Sequence, residues 1–106
     1  MDVKRRHDEL AEGLTPLGEV STRAMFGGLA IYHRGRIFAV AHGGRLYFKA
    51  DDESRGDFEA RGMGPFRPWG KQTLHSYREV PPDVLGDPEP LLAWAAEAVL
   101  ASRRLG

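Results

Sequence analysis

Three glycine-bearing breaks, at Gly27-Gly28, Arg34-Gly35 and Gly43-Gly44, interrupt the first half of the chain so closely that only hairpins fit between them. The intervening runs, Val20–Phe26, Leu29–His33, Arg36–Ala41 and Arg45–Ala50, are rich in β-branched and aromatic residues and read as four consecutive antiparallel strands. Links this short forbid helical crossovers. A fifth strand is predicted over Thr73–Val80, ended by Pro81-Pro82, and the stretch from Gly64 to Gly70, with Pro65 and Pro68, reads as irregular. Helices are predicted over 3–14, capped by Asp2 and ended by Gly13 and Pro16, over 52–61 behind the acids of 51–53, and over 88–103 behind Asp87. Phe48, Phe58 and Trp94 fall on the apolar phase of their elements and are expected in the core. At 106 residues there is room for one hydrophobic core. The expected architecture is a single α+β domain over 1–106, a two-layer fold with a mainly antiparallel five-stranded β-meander and flanking helices.

Chemistry is harder to find. Fifteen basic and fifteen acidic residues cancel, so no global field draws the protein onto nucleic acid or an anionic membrane. The absence of cysteine removes disulfides and thiolate chemistry and fits a reducing cytoplasm. No apolar run approaches the length of a membrane span. His7, His33, His42 and His75 lack the paired spacing of a metal site and read as surface or hydrogen-bonded histidines. The serines lack a nucleophile-elbow context, and Gly27-Gly28 has neither the helix nor the lysine of a phosphate loop. No catalytic residue, cofactor or metal is therefore assigned, and the expectation is a protein that is not an enzyme.

One asymmetry remains. Residues 20–50 hold Arg23, Arg34, Arg36, Arg45 and Lys49 and no acid, whereas 51–61 holds Asp51, Asp52, Glu53, Asp57 and Glu59 against Arg55 and Arg61. In strand period, Leu46, Phe48 and Ala50 share one face while Arg45, Tyr47 and Lys49 share the other. The run Ile37–Ala41 is apolar on both faces, so the terminal helices or a second subunit must cover its second side, and a weak homodimer is one expectation.

The segment Arg23-Ala24-Met25-Phe26-Gly27-Gly28-Leu29-Ala30-Ile31-Tyr32, followed by Leu46-Tyr47-Phe48-Lys49-Ala50-Asp51, resembles the amino-terminal domain of the TfoX/Sxy competence regulators. The likeness continues through Phe58, Pro65-Phe66, Ser76-Tyr77 and Asp87-Pro88-Glu89 to Trp94. It implies a two-layer α+β fold and a non-enzymatic role in switching on DNA-uptake genes beside the cyclic-AMP receptor protein. It also implies a second, helix-hairpin-helix domain in full-length relatives; ending at Gly106, this chain is expected to be a stand-alone amino-terminal domain. The candidate interaction surface is Arg23, Met25, Gly27, Gly28, Arg34, Arg36, Arg45, Tyr47 and Lys49, taking a protein partner from the transcription machinery, with no sequence-specific DNA binding by the domain alone. The alternative is a small-ligand or weak nucleic-acid binder using the same basic and aromatic face.

Overall fold

A computed structural model of the chain describes residues 3–25, 27–69 and 72–105, and its sheet grows from the glycine breaks. Strands β1 (Val20–Met25), β2 (Gly28–His33), β3 (Arg36–His42) and β4 (Arg45–Lys49) pair antiparallel in succession. Arg34 and Gly35 (φ 51° and 79°), and Gly43 and Gly44 (φ 60° and 78°), all lie in the left-handed region, which two-residue hairpins of matching twist require. Gly28 is needed for another reason: a Cβ there would stand 2.1 Å from the Ala41 carbonyl oxygen. Asp2, expected to cap the first helix, and Phe26 and Gly70 lie outside the described residues.

Two more strands, β5 (Pro65–Trp69) and β6 (Gln72–Glu79), complete a six-stranded sheet in the order β1-β2-β3-β4-β6-β5. The expected count of five is one short, because the proline-bearing stretch read as irregular is β5. An edge strand tolerates proline, since one side of it donates to no ladder. The irregularity shows instead as slips in the β5–β6 register on either side of Phe66.

The helices are α1 (Val3–Glu12), followed by a 3-10 turn at Thr15–Leu17, then α2 (Arg55–Glu59), α3 (Pro82–Leu85) and α4 (Pro88–Leu105). The short α3 was not expected: Pro82 both ends the strand and opens the helix, because its missing N–H is one that a first helical turn leaves unbonded. Among the described residues no helix is long and apolar enough to cross a membrane. α1 and α4 pack on one face of the sheet, where Leu10, Leu14, Ile31, Phe38, Phe48 and Phe58 are buried with Ala95 and Val99. Val3, at the start of α1, is exposed. The β2–β3 register sets Ile31 opposite Ala39 but Tyr32 opposite Ile37. Phe38 is thus an extra residue, a bulge that adds its ring to the helix side beside Phe48, centroids 6.4 Å apart. Trp94 packs against the rim of this core, edge-on to Phe58 at 5.0 Å and half-exposed, with the Arg61 guanidinium 5.3 Å from its ring centroid.

Asp51 joins the sheet to the last helix. Its Oδ1 accepts the Ser54 N–H and hydroxyl, each at 3.0 Å, while Ser54 Oγ accepts the Asp51 N–H at 3.1 Å, a reciprocal cap on the turn leading into α2. Arg104, near the end of α4, donates Nε to Asp51 Oδ2 and Nη2 to Glu97 Oε1 at 2.7 Å. The Arg104 guanidinium holds the Asp51 carboxyl well below the ordinary carboxylate range; burial opposes this and the Ser54 bonds reinforce it. A carboxyl with a lowered folded-state pKa stabilises the fold above its unfolded value, about pH 4, and that contribution fades as pH falls further. The Asp51→Asn protein is expected to be less stable than wild type at pH 7 by about 1.5–3 kcal/mol, with the gap narrowing below about pH 4. Denaturant melts across that range measure it, and a gap independent of pH would contradict the assignment.

Candidate functional site

The side of the sheet away from the helices is where the basic residues of β4 were expected, and the structure bears out that alternation: Leu46 and Phe48 are buried toward the helices, with Tyr47 on the opposite side. The register places Val40 beside Tyr47 and Lys49 beside Tyr77. Val40, Phe66 and Tyr77 form a second buried cluster, packed by Met25, Ile37, Tyr47 and Leu74. Phe66 closes it. Its ring lies 4.6 Å from Tyr47, 5.3 Å from His42 and 6.4 Å from Tyr77, and it is 1% exposed. A residue of edge strand β5 thus reaches across β6 to β4 and β3, so the sheet curls over its own second face. The Val40 side of β3 is covered by Phe66 of β5, and the side carrying Ala39 and Ala41 is covered by α1 and α4, the helix cover that the sequence offered as one alternative.

Cations ring this cluster. Lys49 Nζ stands 4.5 Å from the Tyr77 ring centroid and the Arg23 guanidinium carbon 6.0 Å from that of Tyr32, attractions to the ring faces, and neither charge has a carboxylate partner among the described residues. Burial lowers the Lys49 pKa. Burial, reinforced by Tyr32, pushes the Tyr77 phenol up to about 12, and burial followed by Glu79 raises that of Tyr47 against the pull of Arg45. Both phenols stay neutral near pH 7 and add no negative charge to this face, where the acid Glu79 is paired with Arg45. Arg45 donates Nη1 to Glu79 Oε1 at 3.2 Å, and with Tyr47 and the exposed Arg67 these two line a shallow hollow of about 280 Å³.

The nine residues singled out from the sequence do not form one patch. Arg23, Met25, Arg45, Tyr47 and Lys49 belong to the helix-free side. Arg34 sits in the β2–β3 turn and pairs with Glu19, and Arg36 donates Nη1 to the Ser102 carbonyl at 3.4 Å, tying β3 to the end of α4. Gly27 (φ 78°) and Gly28 make the β1–β2 connection and, with Lys4, His7, Ala24 and Leu29, line a depression of about 230 Å³ at the opposite end of the strands. There His7 is 2% exposed and its Nε2 accepts the Gly44 N–H at 3.0 Å. Burial, aided by His42 and opposed by Asp8, lowers its pKa and favours the neutral ring that this bond needs. Among the described residues no group of three or more histidines, aspartates and glutamates is placed to hold a metal ion. Phe66 and Arg67 escape sequence reasoning because their stretch reads as irregular rather than as an edge strand, the only local signal being an aromatic between two prolines; Tyr77 falls on the strand predicted over Thr73–Val80.

Residues 12–102 match the model of the TfoX N-terminal domain. The DNA transformation protein TfoX1 of Aliivibrio fischeri is 32% identical over 89 residues, 82% of this chain and 43% of that protein. The chain thus spans less than half the length of that relative.

If Phe66 is the seal of the second cluster, Phe66→Ala removes a fully buried ring and is expected to cost about 3–5 kcal/mol, read as a lower denaturant midpoint. It should also shift the NMR signals of Val40 and His42, three strands away in the sheet order. A midpoint close to wild type would show that β5 does not close this face.

Proposed function

The chain belongs to the TfoX N-terminal domain family, and from that membership we propose that it is a non-enzymatic, cytoplasmic regulatory module of DNA-uptake competence that works by binding a protein partner of the cyclic-AMP receptor type. The observation that carries this reading is the pair of cations on the helix-free side, Arg23 and Lys49, held over tyrosine rings without a carboxylate partner among the described residues. Such charges suit an acidic protein surface, which would gain them without first breaking an ion pair. The non-enzymatic part of the reading rests on what the polar groups already do. His7 holds the β3–β4 turn, Asp51 caps and anchors α2, and Glu79 pairs with Arg45, each a bond that supports the fold.

A nucleic-acid reading of the same face is weaker for a geometric reason. Single-strand binders offer open aromatic faces to bases, whereas here Phe66 packs against Tyr47 and Lys49 against Tyr77. The remaining bases would give only a salt-sensitive phosphate affinity.

Titration of the domain with the cyclic-AMP receptor protein from the same cell, followed by calorimetry, tests the proposal. Saturable binding is expected, weakened about tenfold or more by Arg23→Glu with Lys49→Glu. Heat changes equal to dilution, or binding indifferent to both reversals, would overturn it. In a parallel fluorescence-anisotropy titration at about 150 mM salt the domain alone is expected to show no preference for competence promoter DNA over a scrambled duplex; submicromolar, sequence-selective binding would move the function to direct base reading.

A further inference from the structure

The two edges of the sheet are built differently. β5 carries Pro65 and Pro68 and a slipped register, devices that discourage a further strand from adding. β1 has neither: its six residues pair with β2 in unbroken register, and Ser21, Thr22, Arg23 and Ala24 are exposed. Its ladder also shows which backbone groups are open. The Arg34 N–H donates to the Glu19 carbonyl, and because bonded pairs alternate along an antiparallel ladder, Ser21, Arg23 and Met25 face β2. The N–H and C=O groups of Val20, Thr22 and Ala24 therefore point outward, where no described strand meets them.

The two sides of this edge differ in charge. Toward the helices, Val20 and Thr22 border a groove of about 340 Å³ shared with Asp8, Ala11 and Glu12 of α1 and with Leu29. Neither Asp8 nor Glu12 is ion-paired among the described residues. On the other side stands exposed Arg23. Residues directly opposite across an antiparallel ladder share a face. A strand added to β1 would place the side chain opposite Thr22 over the acidic groove, and those opposite Ser21 and Arg23 beside the arginine.

We infer that β1 is a docking edge for an extended segment of a partner protein that carries a basic residue flanked on each side by an acidic one. The segment adds as a seventh, antiparallel strand: backbone bonds to Val20, Thr22 and Ala24 supply attachment, and the alternating charges supply register and selectivity. This names a recognition mode for the protein-binding reading above and rests on it. A second copy of the chain fits less well, since a two-fold pairing of β1 with itself, centred on Thr22 or one residue to either side, sets Val20, Thr22 or Ala24 opposite Thr22 and leaves the acidic groove without a base.

The test is an NMR titration of the full chain with two capped peptides, Thr-Val-Glu-Lys-Glu-Val-Thr and its charge-reversed form, Thr-Val-Lys-Glu-Lys-Val-Thr. The first is expected to shift the amides of Val20, Thr22 and Ala24 and to bind at least about fivefold more tightly than the second, the preference shrinking with added salt. Thr22→Pro, which removes an outward N–H and no bond to β2, should abolish binding. Asp8→Lys with Glu12→Lys, on an exposed helix face, should reverse the order of the peptides and decides the matter if the proline variant does not fold. Equal affinities, shifts confined to other strands, binding that survives Thr22→Pro, or a β1-mediated dimer that ignores both peptides would each overturn the proposal. Loss of peptide binding while the cyclic-AMP receptor protein still binds would overturn edge docking alone; the reverse pattern would overturn the choice of receptor and leave the edge in place.

Discussion

Everything in this fold answers to the burial of β3 on both sides. Phe38, Ala39, Val40 and Ala41 are each 2% exposed or less, and no single layer can cover a strand that is apolar on both faces. α1 and α4 cover one side, where Ala39 and Ala41 admit close packing and the Phe38 bulge supplies the bulk that alanine lacks. Among the described residues no helix lies on the other side. It is covered because the β5–β6 hairpin curls back until Phe66 meets Tyr47 and His42, which makes a small sheet act as its own second layer.

That solution distributes the surfaces. The end of the sheet that holds β5 and β6 is used up in closing the fold, and the hollow beside Arg45 is lined by an ion pair already formed. Arg34 and Arg36 are likewise engaged, one with Glu19 and the other with the end of α4. Toward β1 lie groups without an ion-pair or strand partner among the described residues: the exposed Arg23, the outward backbone groups of its edge, and the acidic groove beneath α1. A domain that joins a partner by this edge keeps its core intact, because the bonds offered are ones its own ladder does not use.

How much of this could be read from residue order depends on how local each interaction is. The hairpins were legible because left-handed turn residues declare themselves within two positions, and the two faces of β4 because alternation is local. The acids of 51–53 were readable as a cap, yet Arg104, which holds Asp51 from 53 residues away, was not. Trp94 was placed fully in the core, but only the packing of α2 against α4 could show that it sits on the rim with Arg61. β5 was lost for a physical reason: prolines argue against a central strand and say little about an edge. With β5 goes Phe66, and the candidate surface therefore gathers Arg34, Arg36 and the Gly27-Gly28 turn with the residues of the helix-free side, although the fold sets each of these three apart from it.

A sheet sealed at β5 and open at β1 leaves a signature in residue-resolved hydrogen exchange of the free protein. Protected amides are expected at Ser21, Arg23 and Met25, which bond to β2, alternating with fast exchange at Val20, Thr22 and Ala24, while Val40 beneath Phe66 exchanges slowly. Slow exchange at Val20, Thr22 and Ala24 in the absence of any partner would mean that this edge is already occupied and that the sheet is not open at β1.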